Sequence, residues 1–222
     1  MTTGTHYPVP QFPVNPTTVV QPGCSDGQNR LALRPLQVSA ESLTLLPVTR
    51  GAPLLACWAE LTEYGVDLPP DLIPVYLDEI HASPALRDLS ARNQRDGKGW
   101  SERYRKFMRF EPTVAQASPA ARAAARQPVG HGLELVVQGD QPVVPGVPFQ
   151  VRLLRDGQPL AGLPIQLVDQ RGQGEWASTD AQGLLGTVVP AAGAWMLRGV
   201  DLRPTPDRRW ESRFVTLVLE VR

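Results

Sequence analysis

The sequence predicts a mainly β fold: two β-sandwich parts, the first shortened, with an α-helical insertion between them. Three observations predict it. The chain carries 23 prolines and 19 glycines in 222 residues, a density that spoils long helices and suits short strands joined by turns. From Leu133 onward, short runs alternate apolar with polar residues and turn signals punctuate them, the pattern of a sandwich. The last run, Phe214-Val215-Thr216-Leu217-Val218-Leu219, is nearly all apolar. Such a strand belongs at the centre of a sheet, covered on both faces.

Residues 1–30 are rich in Pro, Thr and Gly and read as an extended or partly disordered arm. Val9, Phe12, Val14, Val19 and Val20 keep pairing at a sheet edge open. Residues 31–68 form the shortened first β-domain, with candidate strands at 31–33, 43–48 and 53–60. Residues 69–128 are the helical insertion and linker. Pro69-Pro70-Asp71 opens a helix, because proline is tolerated in a first turn, and Leu72, Val75, Tyr76 and Ile80 follow at helical spacing. Residues 83–95 give a second helix. Residues 100–110 give a third, with Tyr104, Phe107 and Met108 on one face. The alanine run at 120–125 is a short helix or a linker. Residues 130–222 are the C-terminal β-sandwich of about seven strands, with tight turns at Asp156-Gly157 and at 180–183.

Composition excludes some functions. Lys and Arg total 22 against 22 Asp and Glu, with a pI near 6.8, so the basic excess of a nucleic-acid footprint is absent. No apolar run approaches the ~20 residues of a membrane span. The first five residues have neither the basic nor the apolar region of a signal peptide. Cys24 follows Gln21-Pro22-Gly23, without the apolar residue of a lipoprotein cleavage site. The protein either stays inside the cell or is read here from a start other than its export signal. Cys24 and Cys57 form one disulfide or remain two idle thiols.

Chemistry-bearing constellations are sparse. No Gly-x-Ser-x-Gly elbow, P-loop or dinucleotide fingerprint occurs, and Gly97-Lys98-Gly99 is too short to cradle phosphate, so the chain reads as no enzyme. The histidines His6, His81 and His131 show no i, i+4 pairing, and there is no C-x-x-C. A metal site would have to assemble from distant residues, with His6, His131 and Glu134 as its candidates; otherwise His131 caps a turn and His6 lies in the arm. Trp176, Trp195 and Trp210 are either a carbohydrate-stacking platform or packing residues. Arg203, Asp207, Arg208, Arg209, Trp210 and Glu211 make a polar loop, the best recognition loop on a rigid scaffold, or ordinary solvated charge. The basic residues between Arg87 and Arg109 read as a solvated helical face or, more sharply, as a patch for an anionic ligand or a membrane surface, against which the neutral total weighs.

Several strings, in order, carry a resemblance. They are Leu68-Pro69-Pro70-Asp71 with Tyr76-Leu77, Glu102-Arg103-Tyr104-Arg105-Lys106, Gly132-Leu133-Glu134-Leu135-Val136, and Asp156-Gly157 with Pro159-Leu160-Ala161-Gly162. Thr179-Asp180-Ala181-Gln182-Gly183, Gly193-Ala194-Trp195-Met196-Leu197-Arg198 and Trp210-Glu211-Ser212 follow. Over roughly 66–222 the chain resembles the DUF4198 family. That resemblance implies a periplasmic or envelope protein associated with nickel and cobalt uptake. It also implies Ig-like, transthyretin-like sandwiches similar to carboxypeptidase-regulatory domains, and a divalent transition metal bound through an N-terminal histidine, for which His6-Tyr7 stands in. Implied partners are membrane transport components or another envelope protein. The expected function is a non-enzymatic accessory binding protein; the alternative is a structural or protein-interaction module with no metal.

Overall fold

The structure is a computed structural model that describes residues 1–3, 9, 11–48, 53–93 and 99–222. His6, Gly97 and Lys98 lie outside the described residues. The chain runs β1 (Thr2–Thr3), β2 (Phe12–Pro13), β3 (Val19–Ser25), β4 (Arg30–Val38), β5 (Leu43–Pro47), β6 (Ala56–Leu61) and β7 (Tyr64–Leu68). Helices α1 (Leu72–Glu79) and α2 (Pro84–Asn93) follow, then β8 (Trp100–Glu111) and α3 (Pro119–Ala125). The remainder is β9 (Leu133–Val137), β10 (Phe149–Arg155), β11 (Gln158–Pro159), β12 (Pro164–Val168), β13 (Gly174–Ser178), β14 (Leu184–Thr187), β15 (Gly193–Pro204) and β16 (Trp210–Val221).

The fold is mainly β, as predicted. One ten-stranded sheet has the order β13-β12-β15-β16-β8-β6-β3-β4-β5, with β7 also paired to β8. Its pairings are antiparallel except β16 with β8, which run parallel from Trp210↔Glu102 to Leu219↔Glu111. A smaller sheet of β9, β10, β11 and β14 packs on the C-terminal part of the large one. Leu133, Leu135, Val151 and Leu153 from the small sheet meet Phe107, Ile165, Leu197, Val215 and Leu217 from the large sheet in the main core.

β16 is central, as its apolar run predicts, and its two covers lie at different ends. Trp210 and Ser212 are buried on one face. There Trp210 joins Ile73, Leu77 and Ile80 of the helical segment, with Trp100 and Leu202. Val215, Leu217, Leu219 and Val221 are buried on the other face against the small sheet. The two helices expected at 69–95 are present. The third, expected over 100–110, is instead the strand β8. Its buried residues run Trp100, Glu102, then Phe107, Arg109 and Glu111, a period of two that changes face midway. The i, i+3, i+4 spacing of Tyr104, Phe107 and Met108 is coincidental. Pairing with β16, β6 and β7 outweighs that local pattern, because tertiary packing overrides propensity.

The Pro-rich arm also differs from expectation. Its second half is β3, an internal strand between β6 and β4, with Cys24 fully buried. Gly23 is what lets it sit there: a Cβ at Gly23 would fall 2.9 Å from the Trp58 ring. Cys24 lies directly opposite Cys57 in the β3–β6 register, and the two form a disulfide. The tryptophans do not share one platform. Trp210 is buried beneath α1, Trp195 packs beside the main core with its Nε1 donating to the Ala191 carbonyl at 2.9 Å, and Trp176 stacks on His81 at 4.9 Å.

Candidate functional site: an arginine-lined crevice

Glu134 does not stand free beside His131. Its carboxylate accepts the backbone N–H groups of Val129 (2.9 Å), Gly130 (2.8 Å) and His131 (2.7 Å), closing the turn into β9. His131 is 3% exposed, and its Nε2 has no hydrogen-bond partner in the protein. It lines a small, partly open pocket with Arg109, Phe107, Trp58 and Thr216. Among the described residues, no three His, Cys, Asp or Glu side chains gather as a metal-holding group.

Burial holds the His131 imidazole below its ordinary value, with Arg109 adding to the effect and Glu134 and Glu60 opposing it. A histidine whose folded pKa is depressed resists protonation that the unfolded chain accepts. Its stability contribution is therefore whole above the unfolded value of about 6.5 and is lost as pH falls from there toward the lowered folded value. The urea midpoint of the wild type should drop between pH 7.5 and 5.5 more steeply than that of His131→Gln. Parallel pH profiles for the two proteins would refute this assignment.

The polar loop at 203–211 divides. Arg203 and Glu211 sit opposite each other on β15 and β16 and enter an ionic rim. Buried Asp201 takes Arg155 and Arg203 (2.9 Å), Glu211 takes Arg213 (2.9 Å) and Arg155 (3.3 Å), and Arg213 reaches Asp156 (2.7 Å). Trp210 is core. Asp207, Arg208 and Arg209 remain at the exposed tip, where Arg208 adopts a φ of 62°. The rim balances itself internally.

Under α1, Tyr76 donates to Glu102 at 3.0 Å, and Ser212 donates to the same carboxylate. Burial pushes the Glu102 carboxyl up. This network joins three of the strings that carry the family resemblance, from α1, β8 and β16.

A different charge cluster lies where β8 ends against α3. Glu111 is buried between two buried guanidiniums: its Oε1 takes Arg109 Nε and its Oε2 takes Arg126 Nε, each at 3.0 Å. Arg109 Nη2 also donates to the Ala125 carbonyl (2.6 Å), and Arg126 Nη1 to the carbonyls of Gly139 (3.1 Å) and Gln141 (2.7 Å). Arg109 Nη1 is buried without a protein partner. Burying a charge is costly unless it is paired, and here one carboxylate serves two cations.

Glu111 and Arg126 form one wall of a small crevice that is open at its mouth, and Arg122 lines it too. Arg122 is pinned by Nη1 to the Ala117 carbonyl at 2.5 Å, while its Nε is buried without a protein partner. Leu55, Val114, Val143 and Leu219 supply apolar lining. The elements place these residues simply. Ser118 caps α3 by accepting from Ala121 N at 3.2 Å, which sets Arg122 and Arg126 one turn apart on the same helical side. Alternation along β8 turns Arg109 and Glu111 to one face. Sequence reasoning missed the cluster because Arg109 reads as solvated charge once 100–110 is taken as a helix. Alternation of Phe107, Arg109 and Glu111 against Met108 and Phe110 is the signal that would have exposed it.

Among the described residues no helix is long and apolar enough to cross a membrane. Residues 46–200 match the model of a domain of unknown function, DUF4198. No curated protein and no solved structure matches the chain.

Proposed function

The chain belongs to the DUF4198 family, and from that premise we propose that it is a non-enzymatic accessory binding protein of the cell envelope, with the arginine-lined crevice as its ligand site. The observation that carries this reading is the buried Arg109–Glu111–Arg126 cluster, of which Glu111 and Arg126 line that crevice. Such a cluster is weak as a source of stability and well suited to holding a ligand in a fixed orientation. The Cys24–Cys57 disulfide supports an oxidising, extracytoplasmic compartment. A membrane transport component or another envelope protein is the partner that fits an accessory role there.

Nickel or cobalt is the cargo the family resemblance implies. Glu134 is already engaged by three backbone amides, so a metal would depend on His6 and His131 with ligands from elsewhere. The interaction-module reading draws on the β4–β5 hairpin, where Leu36, Val38 and Val48 are exposed at one end of the sheet.

Native mass spectrometry of the protein recovered from the envelope fraction tests the reading. A non-covalent adduct is expected on the wild type and absent from Val143→Trp, which fills the crevice. An adduct of nickel or cobalt mass retained by Val143→Trp would move the site to the histidines. A bare mass that co-purifies with a stoichiometric protein would favour the interaction module.

A further inference from the structure

We infer that the crevice takes a small monocarboxylate with a short apolar body, a ligand class that builds on the binding reading above. Three features of the site carry this. First, charge is unmatched: Arg109 and Arg126 both pair with a single buried carboxylate, Glu111, and Arg122 lines the same crevice as Glu111 and Arg126. The other acid on the lining, Glu220, is half-exposed and already paired with Arg222 at 2.9 Å. The cations outnumber the free carboxylate, and an entering anion reduces that excess.

Second, the donors are fixed before any ligand arrives. Arg122 is anchored at Nη1 to Ala117 and keeps a buried Nε–H without a protein partner. Arg126 is anchored at Nε and Nη1. A buried donor left unmatched is expensive. A planar guanidinium fork matches carboxylate geometry, and a charge-assisted bond there is short and strong.

Third, the rest of the lining is apolar, from Leu55, Val114, Val143 and Leu219. A fully hydrated dianion such as phosphate gains nothing from those walls and must give up more hydration to enter. A carboxylate with a few methylenes desolvates both ends at once: its head meets the guanidiniums and its tail meets the leucines and valines.

Titration of the full-length oxidised protein with hexanoate, 1-hexanol and inorganic phosphate, read by calorimetry and by melting temperature, tests the class. Hexanoate should bind saturably and raise the melting temperature; hexanol and phosphate should do neither. Arg122→Met should weaken hexanoate binding at least tenfold. Arg122→Lys, which keeps the charge and loses the Nε–H, should fall between the two. Arg171→Met, in the exposed β12–β13 turn, should bind as wild type. Hexanoate that fails to bind, hexanol that binds as well, phosphate that binds more tightly, or Arg122→Met and Arg122→Lys both binding as wild type would each overturn the inference. If hexanoate fails while the Val143→Trp-sensitive adduct persists, only the ligand class falls. If the adduct is also missing, the crevice reading falls with it.

Discussion

Replacing both Cys24 and Cys57 with Ser should lower the unfolding free energy by about 4 kcal/mol, from the chain entropy of the loop the bridge closes. The bridged residues are 33 apart in sequence, and the loop between them contains the β4–β5 hairpin. That hairpin forms one end of the large sheet and leaves Leu36, Val38 and Val48 exposed, so little burial of its own holds it. The melting temperature should fall by roughly 8–16 °C for a chain of this size. The effect should also be local. Amide exchange should rise first in β4 and β5, while β15, β16 and β8 stay protected, because their core does not include the bridge. Denaturant titrations with and without reductant check the magnitude. A reductant-insensitive midpoint, with both thiols shown to be free by alkylation, would refute it.

The C-terminal half was legible because its signals are local. Val151, Leu153, Ile165 and Leu167 alternate along their strands, and Asp156-Gly157 and Asp180–Gly183 break the chain where the turns occur. A period of two needs no knowledge of the partner strand. The N-terminal half was less legible because its strands are defined by what they pair with. β3 contains Pro22 and Gly23, poor strand residues, and it is internal because Cys24 bridges to Cys57 and Trp58 lies over Gly23. β8 was misread because its apolar residues change face between Trp100 and Phe107, where its cover passes from α1 to the small sheet. No window along one strand reveals a change of cover. The crevice was hidden for a related reason: Arg109, Arg122 and Arg126 look like surface charge until the β8 register and the short helix α3 bring Arg109 and Arg126 to one carboxylate and Arg122 to the crevice beside it.

That carboxylate yields the second large effect. Glu111→Gln keeps the shape of the side chain and removes its charge, leaving Arg109 and Arg126 buried with no counter-charge between them. Breaking a buried ion pair from one side costs about 3–5 kcal/mol, and here two cations are stranded and repel each other. The unfolding midpoint in urea should fall accordingly, and carboxylate ligand should recover part of the loss if it supplies the missing charge. The comparison that separates stability from function is the triple replacement Arg109→Met, Glu111→Leu, Arg126→Met. Apolar residues of similar volume in place of a buried ionic cluster are often neutral or stabilising, so this variant should melt near the wild type yet bind no hexanoate. A triple variant as unstable as Glu111→Gln would mean that the cluster is needed for folding itself, through the carbonyls of Ala125, Gly139 and Gln141 that its arginines hold. A stable triple variant without ligand binding would mean that the chain keeps two buried cations on one anion for the sake of what enters the crevice.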